Sequence, residues 1–184
     1  MDYYQFVSDQ SASRKWIKPG MLPCECMDRH RRTIIIEPNR EEYYGELSEM
    51  YDSFMPKAVA HGIPPENKDI RQKWLDDVLH AGTNLLARVD GRIVGHSVLA
   101  PIPPGDRAEF GIFIHQDYQN RSIGTNLTCV TICCALKARF RSLWLCVDPR
   151  NMHAVALYRL VGFVYTEKDG VEGCMELDLA RLSA

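Results

Sequence analysis

Seven residues, Gln119-Asn120-Arg121-Ser122-Ile123-Gly124-Thr125, join a strongly apolar segment to one of helical character. A loop of small and polar residues that feeds a helix start leaves several backbone N–H groups without partners, and the positive end of the helix dipole adds to them. Such a loop binds anions, and a phosphate-bearing ligand is its natural occupant. Two common phosphate motifs do not fit. A nucleotide P-loop ends Gly-Lys-Ser/Thr, whereas Gly124 is followed by Thr125 and Asn126. A dinucleotide fingerprint needs three glycines early in a strand–helix unit, with an acidic residue downstream, and this loop lacks them. Cys24-Glu25-Cys26 with His30 invites a metal reading. A tetrahedral zinc site needs four ligands, and no second Cys or His pair at suitable spacing accompanies them. No metal is expected.

The elements on either side must position this loop. Residues 109–114 form a strand in which Ile112, Phe113 and Ile114 are contiguous and apolar, as expected where both faces are covered. A helix opens at Arg121 and runs through Cys134 to about Arg139. Residues 143–147 read as a second buried strand, followed by a helix carrying Asn151, Ala154, Leu157 and Tyr158. Upstream, residues 33–37 are a β-branched strand. Asn39 with Glu42 suggests a capping pair for a helix through Met50, striped by Tyr43, Leu47, Met50 and Tyr51. After a connection, a helix over 66–80 repeats Ile70, Trp74, Leu75, Val78 and Leu79 at helical spacing, and Gly82 stops it. Strands 85–89 and 93–99 join at Asp90-Gly91. Residues 101–105 close that hairpin, and a last hairpin, 163–167 with 174–179, turns at Asp169-Gly170. Residues 1–31, with a turn signal at Lys18-Pro19-Gly20, read as an extension that packs on the domain or a partner; 32–184 are the domain.

The string 119–124 resembles the Q/R-x-x-G-x-G/A pyrophosphate loop of the GNAT N-acetyltransferase family, with Ser122 in place of the usual first glycine. Asn151, Ala154, Leu157-Tyr158 and Gly162-Phe163 look like the other half of that core, in the right order and separation. In element order the resemblance spans roughly 33–179; its specific part is 109–163. It implies an α/β (α+β) fold: a mixed, mostly antiparallel central sheet with two splayed parallel central strands and helices on both faces. It implies acetyl-CoA as co-substrate and a primary amine, on a small molecule or a protein lysine, as acceptor. Main-chain groups of Ile112, Phe113 and Ile114 would pair with the pantetheine arm, and Gln119, Asn120, Arg121, Ser122, Ile123, Gly124 and Thr125 would hold the pyrophosphate. Tyr158 matches the family's tyrosine beside the thioester sulfur and would be the general acid; otherwise it is a core tyrosine. Asn151 would bond the pantetheine or simply cap its helix. Glu109 would be the base through water, or a solvated strand-end carboxylate. His115 receives no role, and His96 and His153 are read as structural. Phe54, Met55, His61, Asp169 and Glu172 would frame the acceptor. The alternative function is a non-catalytic acyl-CoA-binding sensor or interaction module.

Composition sets the bounds. A chain of 184 residues that is 46% hydrophobic and 25% charged suits one globular domain with a real core. A net charge of −2 gives no reason to expect nucleic acid or an anionic membrane as partner. No apolar run approaches a membrane span, and the start, Met1-Asp2-Tyr3-Tyr4-Gln5-Phe6, lacks the pattern of a secretory signal. The 7 cysteines are read as reduced thiols, which points to the cytoplasm. A homodimer is compatible with all of this.

Overall fold

The computed structural model describes residues 22–58, 62–168 and 172–182. Its strands are β1 (Cys24–Met27), β2 (Thr33–Pro38), β3 (Thr83–Val89), β4 (Arg92–Ile102), β5 (Arg107–Ile114), β6 (Ser142–Val147), β7 (Val164–Lys168) and β8 (Gly173–Asp178). Its helices are α1 (Tyr44–Ser53), α2 (Lys68–Ala81), α3 (Ile123–Lys137) and α4 (Met152–Leu160). One sheet orders the strands β1-β2-β3-β4-β5-β6-β8-β7. Every neighbouring pair is antiparallel except β5 and β6. The expected mixed sheet is therefore the observed one.

The parallel pair is short. It joins Arg107 to Ser142, Ala108 to Leu143 and Glu109 to Trp144, and stops there. Beyond that point β5 runs to Ile114 paired with β4, and β6 runs to Val147 paired with β8. Two parallel strands that part in mid-sheet leave main-chain donors and acceptors facing the gap between them.

Side-chain alternation assigns the layers. On one face Ala108, Phe110, Leu143, Leu145 and Val147 meet Val155, Tyr158 and Val161 of the α4 segment. On the same face Ile34, Ile36, Leu85 and Ala87 meet Ile123, Leu127 and Val130 of α3. The opposite face carries α1 and α2 through Leu47, Tyr51 and Leu75 against Leu86 and Ile93. Each Val, Leu, Ile or Phe among them contributes about 1.5–3 kcal/mol on burial, so the sheet is clamped from both sides.

Several local expectations change. Strand β1 was not anticipated: Cys24-Glu25-Cys26-Met27 alternates half-buried with exposed and pairs antiparallel with β2. Four residues are too few for periodicity to register in a sequence. Asn39 does not cap α1. A 3₁₀ turn, Glu41–Tyr43, precedes that helix without any side-chain cap. The Asn39 backbone N–H is taken by the Asn84 carbonyl, and its Oδ1 has no partner. Helix α2 starts at Lys68 because Asn67 caps it, accepting from the Ile70 N–H. Strand β4 continues through Pro101 to Ile102 because β5 supplies Ala108 and Arg107 as partners there. Helix α3 begins at Ile123, since Ser122 sits in the left-handed region at φ 66°. The Lys18-Pro19-Gly20 turn, His61 and Asp169-Gly170 lie outside the described residues.

Candidate functional site

The gap between β5 and β6 opens at Phe110. The Phe110 ring lies edge-on to Tyr158 at 6.2 Å and stacks with Phe163 at 6.0 Å. Tyr158 is thus fixed by aromatic packing at the point where the parallel ladder ends. It is only 7% exposed, yet its hydroxyl makes no hydrogen bond to another described residue. Burial pushes its pKa well above that of an ordinary tyrosine, so it stays protonated at neutral pH.

Glu109 is the last β5 residue paired with β6. It precedes Phe110, so its side chain points to the other face. Glu109 and Tyr158 therefore flank the divergence from opposite sides. On the Glu109 side, Cys146 and Cys174 oppose each other across β6 and β8 as free thiols. Burial, then the neighbouring Cys174 thiol, push the Cys146 pKa up. Nearby, the Ser142 hydroxyl donates to Glu176 at 2.6 Å, and Arg107 approaches the same carboxylate at 3.5 Å.

The three apolar residues of β5 go to different places. Ile112 packs with both clusters of one face, and Ile114 packs with the α3 cluster. The Phe113 ring joins Tyr51, Phe54 and Trp74 on the opposite face, and its backbone pairs with His96 of β4. Behind it, Tyr51, His96 and Asn84 form a buried chain. The Asn84 amide donates to the Leu79 and Gly82 carbonyls, so its Oδ1 accepts from His96 Nε2 at 2.9 Å. That leaves His96 Nδ1 to accept from the Tyr51 hydroxyl at 2.7 Å. Burial holds His96 down to about 3, a neutral framework residue.

At the far end of β5, the start of α3 leaves its first-turn donors uncapped. Ser122 supplies no side-chain cap, and the first turn holds no acidic residue. The N–H groups of Ile123, Gly124 and Thr125 are the unpaired donors that every helix start leaves. A left-handed serine costs roughly 1–2 kcal/mol relative to glycine. Its hydroxyl accepts from Arg29 Nε at 3.0 Å. Asn120 also adopts positive φ, 59°, which asparagine tolerates. Gln119 turns its side-chain amide back to the Ile114 carbonyl at 3.0 Å, closing the loop on the strand. The Arg121 guanidinium lies over the Tyr118 ring at 5.0 Å. Asn151 caps α4, accepting from the Ala154 N–H at 3.2 Å, which leaves its NH₂ without a partner among the described residues.

Two features were invisible to the sequence reading. Gln116 grips the end of α1 twice: its Oε1 accepts from the Met55 N–H at 2.8 Å and its Nε2 donates to the Ser53 carbonyl at 2.9 Å. His115 adds a contact to the Ser53 hydroxyl at 3.2 Å. The segment expected to frame the acceptor is thereby tied to the end of β5. The second feature is the tip of the β1–β2 hairpin. Asp28 accepts from the His30 and Arg32 N–H groups at 2.8 Å each, while the Arg29 N–H donates to the Arg121 carbonyl at 3.1 Å. Burial alone would raise the Asp28 pKa, but those backbone donors and the Arg32 guanidinium outweigh it and lower it. The alternation of Cys24 to Met27 before Asp28 is too short a signal to have found this hairpin from sequence.

Comparison with known proteins agrees with this fold. Residues 45–163 match the family model described as Acetyltransferase (GNAT) family. No curated protein matches this sequence. Among solved structures, the chain is similar to the GNAT domain of S. lividans PAT, with TM-score 0.71 at 18% identity over 84% of this chain and 96% of that one. It is also similar to yncA from Salmonella typhimurium, a putative acetyltransferase with its cofactor acetyl-CoA: TM-score 0.62, 16% identity, 79% and 94% covered. A spermidine N-acetyltransferase chimera from Vibrio cholerae and hSSAT gives TM-score 0.66 at 16% identity, covering 82% and 98%.

Proposed function

The chain belongs to the acetyltransferase (GNAT) family, and from that premise we propose that it transfers an acetyl group from acetyl-CoA to a primary amine by direct attack in a ternary complex. The acceptor is a small-molecule amine or a protein lysine. Acetyl-CoA supplies an activated thioester; the residues of this chain hold it and move the protons.

Main-chain groups of Ile112, Phe113 and Ile114 that face the gap pair with the amide-bearing arm as an added strand would. The loop Gln119, Asn120, Arg121 and Ser122, with the N–H groups of Ile123, Gly124 and Thr125, holds the diphosphate. The NH₂ of Asn151 reaches the arm. A lysine-like amine titrates near ~10.4, so it must lose a proton before attack. Glu109 takes that proton through a water. A β5 N–H near Ile112 faces the charge that develops on the carbonyl oxygen. Tyr158 gives its proton to the departing sulfur. The ammonium loses two protons in all. One reaches Glu109 before attack and passes on to solvent, and the second leaves the tetrahedral nitrogen for water. Tyr158, having protonated the sulfur, is reprotonated from solvent, so one proton is released per turnover.

One observation carries this reading: a buried, protonated tyrosine whose hydroxyl lacks a described partner sits where β5 and β6 part. The raised Cys146 thiol supports direct transfer over an acyl-cysteine route. Free thiols throughout suit a reducing, cytoplasmic setting. The test is thiol release from acetyl-CoA across polyamines, small amines and lysine peptides. Turnover on one class assigns the acceptor. Tight coenzyme binding with no turnover on any amine would replace the transferase by an acyl-CoA sensor.

A further inference from the structure

The β1–β2 hairpin lies outside the matched family region, residues 45–163, yet it touches the 119–125 loop twice and the first turn of α3 once. The Arg29 N–H donates to the Arg121 carbonyl at 3.1 Å, Arg29 Nε donates to the Ser122 hydroxyl at 3.0 Å, and the Asn126 amide donates to the Met27 carbonyl at 3.3 Å. These contacts bring a guanidinium to the positive end of α3. Electrostatics alone disfavour that placement: a helix start prefers an acid, and a cation there is repelled. The first turn of α3 holds no acid to compensate. Arg32 beside it is neutralised by Asp28 and Asp90. Arg29 and Arg121 have no carboxylate partner among the described residues. Two uncompensated guanidinium groups and a helix N-terminus converge on one loop, and an anion between them resolves the repulsion.

Building on the function proposed above, we propose that Arg29, supplied by the N-terminal hairpin, is a coenzyme-binding residue that closes on the diphosphate from the side opposite α3. The same contact explains Ser122. A glycine would relieve the left-handed backbone but would remove the hydroxyl that aims Arg29. With Nε spent on Ser122, both Nη groups remain to grip phosphate oxygens. Asp28 is the positioning residue, because it fixes the turn from which Arg29 projects.

Calorimetric binding of CoA and of S-acetylpantetheine, which lacks the diphosphate, tests this on the full chain. Arg29→Gln is expected to weaken CoA about tenfold, the loss of roughly 1.4 kcal/mol. The variant's Kd for CoA should also depend less on salt. Arg29→Lys should recover part of the loss, and S-acetylpantetheine should bind both forms alike. Equal weakening of both ligands would mean that Arg29 only supports the fold, overturning the inference. Unchanged CoA affinity in Arg29→Gln would also overturn it while leaving the transferase reading intact. If the unmodified chain fails to bind CoA at all, both readings fall together.

Discussion

At the C-terminal end of β5, around residues 115–122, side chains are held by hydrogen bonds and charge. Gln116 clasps α1, Gln119 closes on Ile114, and Arg29 reaches Ser122. A few residues earlier, the Phe110 ring sits among apolar groups and meets the rings of Tyr158 and Phe163, with Tyr158 buried. The polar end suits a ligand group that is charged and stays hydrated until it docks. The apolar end suits a group whose reactivity changes when water is excluded. On the function proposed above, binding energy and chemistry occupy opposite ends of one strand, so the two should respond to different perturbations.

Tyr158→Phe should break the apolar end most severely. Loss of a general acid lowers turnover by roughly 10²–10⁴-fold, with little change in acetyl-CoA affinity; steady-state kinetics beside calorimetry will separate the two. Unchanged turnover would remove Tyr158 from the mechanism.

Asp28→Asn should loosen the polar end by about 1–3 kcal/mol, the usual worth of hydrogen bonds to a charged group. The folded pKa of Asp28 lies below its unfolded value. Its contribution is therefore complete above the unfolded value of about 3.9 and fades as pH falls through the lower folded one. Denaturation of both proteins between pH 7 and pH 2, on the order of the range where carboxylates titrate, should show the difference shrinking at the acid end. A constant difference would mean that the carboxylate charge is irrelevant.

Gln116→Ala tests the link between the ends. It removes both bonds to the Ser53–Met55 backbone and should raise the acceptor KM by about fivefold, a cost of roughly 1 kcal/mol. The acetyl-CoA KM should move less, because the clasp holds the acceptor side. An equal rise in both would make Gln116 a part of the cofactor site.

Ser122→Gly carries the smallest effect and opposing signs. Relief of the left-handed backbone should stabilise the fold by about 1 kcal/mol, while the lost Arg29 anchor weakens CoA about threefold, or roughly 0.7 kcal/mol. Thermal melts with and without CoA read the two effects separately.

The element order of the sheet was legible because its cues are local. Asp90-Gly91 between apolar runs, the isoleucines of β2 and the contiguous Ile112-Phe113-Ile114 each announce themselves within a few residues. The family match of residues 45–163 and the mixed sheet agree with that reading. Asn39 misled because its capping residue type was present while its backbone N–H was claimed by Asn84, a partner distant in sequence. Strand β1 escaped because its evidence is the edge of β2, which no window of four residues contains.

By itself the sequence determined the strand and helix succession from β2 onward and the family resemblance carried by residues 119–124 and Tyr158. These depend on spacing within one element or between neighbours. Only the tertiary structure decided that β5 and β6 part after Glu109, that Glu109 and Tyr158 lie on opposite faces of that gap, and that Arg29 meets Ser122 across 93 residues of chain. Pairing register and long-range side-chain contact arise when separate elements pack against a shared core, and no local pattern encodes them.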